Sequence, residues 1–215
     1  MRSSLSITTP ATSLALLTIE ELRSAAGVTG AGQDTALTSL GLQVAASIMT
    51  ECGIAIGSGG EPTLWQETLT ETFRKVRCDE LVLSRRHNIE IVSVTADAVL
   101  MDAAEYEADP ESGVFTKLCG DLPVRWCATK VAVVYKAGFG EVPGDLKQAA
   151  MDFVRLAWLE SKRDPALKSE VVDVPDVLKT EKTWWVGSVP GQSSEGAVPD
   201  VVSGQLARYR NIAIA

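Results

Sequence analysis

The sequence predicts an α+β fold: a small helical body, an antiparallel β insertion and an extended C-terminal arm. Three observations predict it. Apolar residues recur at steps of three and four in two separated stretches, 34–52 and 143–163. Between them, residues 62–137 break into short runs separated by turns that carry Asp, Gly, Pro and Asn. Beyond Lys168 both patterns dissolve into Pro, Gly and Ser.

Residues 1–17 are rich in Ser and Thr and read as a flexible N-terminal arm. Thr18-Ile19-Glu20-Glu21 is a capping box, in which Thr18 takes the amide of Glu21 and Glu21 reaches back. Gly27 is placed to end that short helix in the left-handed conformation. Asp34 reads as the next N-cap, ahead of Leu37, Leu40, Val44, Ala45, Ile48 and Cys52, with Gly53 as the stop. Residues 18–56 are thus expected to be a helix pair and 57–140 an antiparallel β unit, joined by a flexible Gly57–Gly60 stretch. Trp65, Leu69 and Phe73, set among Glu67, Glu71 and Lys75, read as a half-solvated strand. Residues 81–83, 89–94, 106–108, 114–118 and 130–135 read as further short strands. Residues 141–165 form the longest expected helix, with Leu146, Ala149, Ala150, Phe153, Val154, Ala157 and Trp158 on one stripe. Leu156 and Leu159 widen that stripe beyond the usual ~100° arc, so a second cover is needed. Arg155, Leu156, Trp158 and Leu159 are therefore the expected intersubunit face. Asp164-Pro165 stops the helix, and 166–215 reads as the arm, closing in a weakly helical segment at Val201 to Arg210.

The chain is 46% apolar and 22% charged over 215 residues, enough for a packed core. No apolar run approaches the ~18 residues of a membrane span. The net charge of −8 is the wrong sign for gripping DNA, where phosphate contacts supply most of the non-specific affinity. It suits a surface past which DNA slides. Cys52, Cys78, Cys119 and Cys127 make no C-x-x-C pair, and one histidine, His87, is present. Zinc is not indicated, and the cysteines read as small buried hydrophobes. Gly27-x-x-Gly30-x-Gly32 lacks the Lys-Ser/Thr and the preceding strand of a nucleotide loop. No cofactor is expected.

Three segments, in order, carry a resemblance to phage head-tail connector (adaptor) proteins. Leu17 to Leu22 (Leu-Thr-Ile-Glu-Glu-Leu), with the Asp34 helix, is the first. Ala103 to Glu107, Glu111 to Phe115, Val131 to Tyr135 and Ala137-Gly138-Phe139 make the second. Val142 to Ala150 running into Arg163 to Leu167 is the third, and 198–210 is similar to the C-terminal end of that family. Where the family often has Arg-Pro-Val, this chain reads Arg86-His87-Asn88-Ile89. The resemblance implies a homo-oligomeric ring, commonly a dodecamer, below the portal, which extends the double-stranded DNA channel toward the tail. Its implied partners are the portal protein, a stopper or tail-side ring protein and other copies of itself, with DNA as passing cargo and no membrane. It implies a virion location, preceded by the host cytoplasm.

Within that frame, Trp184, Trp185, Leu206, Tyr209 and Arg210 are the expected portal-docking residues of the arm, since aromatic anchors mark interfaces. Asp102, Glu105, Glu107, Asp109 and Glu111 are the expected acidic surface at the channel or ring rim. Arg74, Lys75, Arg77, Arg85 and Arg86 read as a solvated basic face or a partner contact. His87 reads as a turn or surface residue. A stopper or tail-completion protein is the nearer rival reading. A small hydrolase using a cysteine or a carboxylate, with Cys78, Cys119 and His87 as its candidates, is the remoter one.

Overall fold

The computed structural model describes residues 2–162, 169–174, 178–183 and 198–211. In chain order the elements are β1 (Arg2–Thr9), α1 (Ile19–Ala26), α2 (Asp34–Glu51), β2 (Glu67–Cys78), β3 (Glu80–Val82), β4 (Glu90–Ala96), β5 (Val99–Leu100), β6 (Tyr106–Ala108), β7 (Val114–Cys119), β8 (Leu122–Val124), β9 (Trp126–Ala137), α3 (Gly144–Ser161), β10 (Ser169–Val174), β11 (Leu178–Thr183) and α4 (Asp200–Gln205). This is the expected α+β mixture.

The capping box at Thr18 forms with both bonds present, and Gly27 closes α1 at φ 62°. Asp34 is the first residue of α2 and not its cap. Its carboxylate takes both nitrogens of the Arg23 fork, at 2.8 and 2.5 Å, and so pins α1 to α2. That bond holds the Asp34 carboxyl below its ordinary range. Leu37, Val44 and Ile48 of α2, Leu22 of α1, and Leu146, Ala149, Ala150, Val154 and Trp158 of α3 share one buried cluster. This is the helical body.

The β part has a five-stranded sheet in the order β1-β2-β9-β4-β5 and a smaller sheet in which β7 pairs β6, β3 and β8. All these pairings are antiparallel. Leu69, Phe73, Val131, Val133 and Tyr135 of the first sheet meet Leu81 and Phe115 of the second in a separate core. Phe115 and Trp126 stack at 5.3 Å there, and the indole N–H of Trp126 donates to the Phe115 carbonyl. The two connections between body and β part run together: the Phe139 amide donates to Leu64 and the Gln66 amide to Phe139, at 2.8 and 2.9 Å. Gly138 sits between them at φ 105°, where a Cβ would lie 2.4 Å from the Trp65 carbonyl oxygen.

Three expectations change. Residues 2–9 are not a loose arm but the edge strand β1, paired with β2. Gly57–Gly60 is no free joint: Ser58 bridges to β1 through Ile7 and Leu5. The C-terminal segment is not extended throughout. Ser169–Val174 and Leu178–Thr183 are the antiparallel pair β10-β11, and 198–210 returns to the helical body. Val198, Val202, Leu206 and Tyr209 are all buried in the helical core. The apolar residues of 202–209 fall at helical spacing, and that face has an apolar surface to bury against.

Candidate assembly surfaces

Leu206 is fully buried and Tyr209 nearly so, which removes them as free docking residues. The Tyr209 hydroxyl donates to Asp145 at the start of α3. Burial and that bond push the Tyr209 pKa up, and the same bond draws the Asp145 carboxyl down. Arg210 is committed to Glu51 at the end of α2, at 2.5 Å. Asn211 then donates from its backbone to Cys52 and from its side chain to the Ser84 carbonyl, at 2.6 and 2.7 Å. The segment is a clasp across body and β part. Trp184 and Trp185 lie outside the described residues.

On α3, Leu156 and Leu159 are 43% and 61% exposed and Arg155 is exposed. Trp158 is not part of that surface; it is 8% exposed and packed into the helical core. Residue 158 continues the Leu146–Ala150–Val154 stripe, whereas 156 and 159 leave it. The ammonium of Lys162 covers the Trp158 ring at 4.8 Å. The outer side of α2 adds to this picture. No charged residue occurs between Asp34 and Glu51. The exposed positions are Thr35, Ala36, Thr38, Ser39, Leu42, Gln43, Ala46 and Thr50. A helix face that stays in water ordinarily carries charge.

All five acidic candidates are exposed. Asp102 and Glu105 form a capping box around a single 3-10 turn. Asp109 takes the Ser112 hydroxyl and the Glu111 amide, bonds that lower its pKa, with Ser112 the larger cause. Glu107 has neither role.

A buried polar cluster escaped the sequence reading. Glu67, Leu69, Glu71 and Phe73 share one face of β2, because residues two apart in a strand point the same way. All four are buried, so the glutamates do not form a wet side. Glu67 pairs with Arg85 at 2.9 Å, with both side chains almost wholly covered. Arg85 also donates to the Thr63 carbonyl at 2.5 Å. It is therefore no member of a solvated basic face. Burial lowers the Arg85 pKa, against the pull of Glu67. Glu71 accepts from the Ser84 amide and hydroxyl, at 2.9 and 2.5 Å, and from the Tyr135 hydroxyl at 3.1 Å. Burial nevertheless raises the Glu71 pKa and pushes Tyr135 up as well. The cluster bonds the Ser84-Arg85 loop to the sheet. The legible signal was the odd parity of 67, 69, 71 and 73.

His87 is a corner residue, not a surface one. Its side chain is 12% exposed and its φ is 70°. It stacks on Phe139 at 5.5 Å and meets the edge of Tyr209. Its described polar partners are the Tyr209 carbonyl and Glu111, neither of them a thiol. Of the cysteines, Cys52 is buried, with its pKa pushed up to about 12 by burial. Cys119 and Cys127 are exposed, against the expectation that all four are core residues. Among the described residues no cluster of His, Cys, Asp and Glu is placed to hold a metal ion.

A family model described as Head completion protein matches residues 15–164. No curated protein matches the chain. Among solved structures, it is similar to a chain of the neck of an empty GTA (gene transfer agent) particle computed with C6 symmetry. The identity is 17% and the TM-score 0.54, over 98% of this chain and 97% of that one. That likeness is one of fold. The family match spans both helices of the pair, strands β2 to β9 and α3, and so places the chain itself: it belongs to the head completion protein family.

Proposed function

We propose that the protein is a non-catalytic connector subunit that forms a ring below the portal, continues the DNA channel and joins head to tail. The family match over 15–164 carries this reading. The end-to-end fold likeness to a neck protein supports it. The C6 symmetry belongs to that particle; it fits a ring of six or a multiple of six, and a dodecamer is the number the sequence resemblance implies. Two further observations favour an oligomer. Leu42, Leu156 and Leu159 are exposed on helices of the body, and the outer side of α2 bears no charge. Homo-oligomer contacts are richer in apolar area and poorer in charge than ordinary surface. The portal contact falls to the segment beyond α3, where Trp184 and Trp185 are the anchors; Leu206, Tyr209 and Arg210 are excluded by their internal contacts. The acidic segment 102–111 lies on the ring surface.

The test is Leu156→Asp with Leu159→Asp. Both positions are exposed, so thermal stability is expected to stay within about 0.5 kcal/mol of the parent, while ring assembly on purified portal falls away. Rings that form normally with both aspartates present would remove α3 from the subunit contact.

A further inference from the structure

The outer face of the five-stranded sheet has a cationic end. Across the strands, Arg2 of β1 stands opposite Arg74 of β2, and Arg74 opposite Lys130 of β9. All three are exposed. Between the Arg74–Lys130 and Val76–Ala128 pairs, Lys75 stands at φ 54° and drops out of the pairing, with the register unchanged on either side. Lys75 and Arg77 line an open cleft of about 390 Å³ with Asp97, Cys127, Ala128 and Thr129. Among the described residues, no carboxylate forms an ion pair with any of these five cations. Asp97, the acid in the cleft, is occupied by the backbone amides of Thr129 and Lys130, both at 2.9 Å.

Like charges directly opposite one another destabilise a sheet. Three in a row across adjacent strands therefore cost the isolated subunit stability, and an anionic partner would relieve that cost. The middle of this face is small and uncharged, and the charges beyond it, Lys136 and Glu90, pair with each other at 3.2 Å. One row reads Ser4, Thr72, Ala132, Thr95 and the next Ser6, Thr70, Val134, Ser93. Such a surface lets another chain lie close.

The chain itself carries the complement. At the opposite edge of the same sheet it leaves β5 at Leu100 and enters the exposed acidic segment from Asp102 to Glu111. No Lys or Arg pairs with that segment's carboxylates among the described residues. One edge strand thus begins the positive row and the other edge leads into the negative run. Two unlike patches on one chain make a heterologous, head-to-tail contact, and such contacts close into rings when the rotation permits. We infer that in the ring the Arg2–Arg74–Lys130 end of one copy receives the 102–111 segment of the next. The inference rests on the ring reading above and names one of its contacts.

Two full-length variants test it on purified portal, with ring mass read by native mass spectrometry. One carries Arg74→Glu and Lys130→Glu, the other Glu107→Lys and Glu111→Lys. Each alone is expected to lower ring occupancy at least ~10-fold, since like charges across an interface are strongly disfavoured. The chain bearing all four changes is expected to recover it. Rings on wild-type protein that survive both variants would overturn the charge pairing and leave the ring reading standing. Absence of rings with wild-type protein would overturn both. A third outcome also overturns it: the four-change chain stays defective, and wild-type protein binds a fluorescent DNA duplex that the Arg74→Glu, Lys130→Glu variant does not. The cations would then face DNA.

Discussion

Glu71 has no water to solvate its charge, and three donors compensate for that incompletely, which is why its pKa lies above the ordinary 4.5. For a carboxyl raised on folding, the stabilising contribution is full below the unfolded value and is lost as pH rises through the folded one. Wild-type protein should therefore lose its stability margin over Glu71→Gln as pH climbs from about 4.5 toward neutrality. Thermal melts of both at pH 5 and pH 8 check this; a margin that grows with pH would contradict it. Arg85 is the opposite case, since its charge is needed by a neighbour. Arg85→Met leaves Glu67 buried and unpaired, and removing one partner of such a pair costs about 3–5 kcal/mol, measurable by urea unfolding. Neither residue was legible as buried from the sequence. A charged residue is read as wet by default, and the β2 alternation was assigned across residues that in fact share one face. Asp97, Asp102 and Asp109 bond to backbone amides, which charge counting alone does not reveal.

The helices were legible because their signals are local. The Thr18 box, the Gly27 stop and the three-and-four stripe of α3 each lie within a few residues of chain. The final helix was legible as a weak one, but its burial was not. Residues 198–210 sit in a Pro- and Gly-rich surround, and their burial depends on the core shared with the body helices, which forms only in the folded protein. Leu206 is fully buried in that core, so Leu206→Ala is expected to cost about 2–5 kcal/mol in chemical denaturation. Loss within about 0.5 kcal/mol, the usual result at an exposed site, would mean that the segment is a detachable arm. By the same logic, a chain ending before Val198 is a poor probe of portal binding, because it also strips Val202, Leu206 and Tyr209 from the helical core.

As a whole, the molecule is a helical body and a β part held at one corner, where His87, Phe139 and Tyr209 meet and Asn211 spans Cys52 and Ser84. The body presents an uncharged outer helix and exposed leucines. The β part presents a cationic row across β1, β2 and β9 and an exposed acidic segment at 102–111. Family membership was legible in the sequence because the ordered segments 17–22, 103–115 and 142–150 carry it. The charge arrangement was not, since Arg2, Arg74 and Lys130 come together only through strand register. The central claim is that the subunit bridges portal and tail. Cross-linking mass spectrometry on purified particles tests it most directly, through the lysines at 179 and 182 beside the tryptophan pair. Links from these lysines to portal subunits, with other lysines joined to a tail-side ring protein, are the expected result. A protein absent from particles, or one linked to tail proteins and never to portal, would contradict the connector assignment.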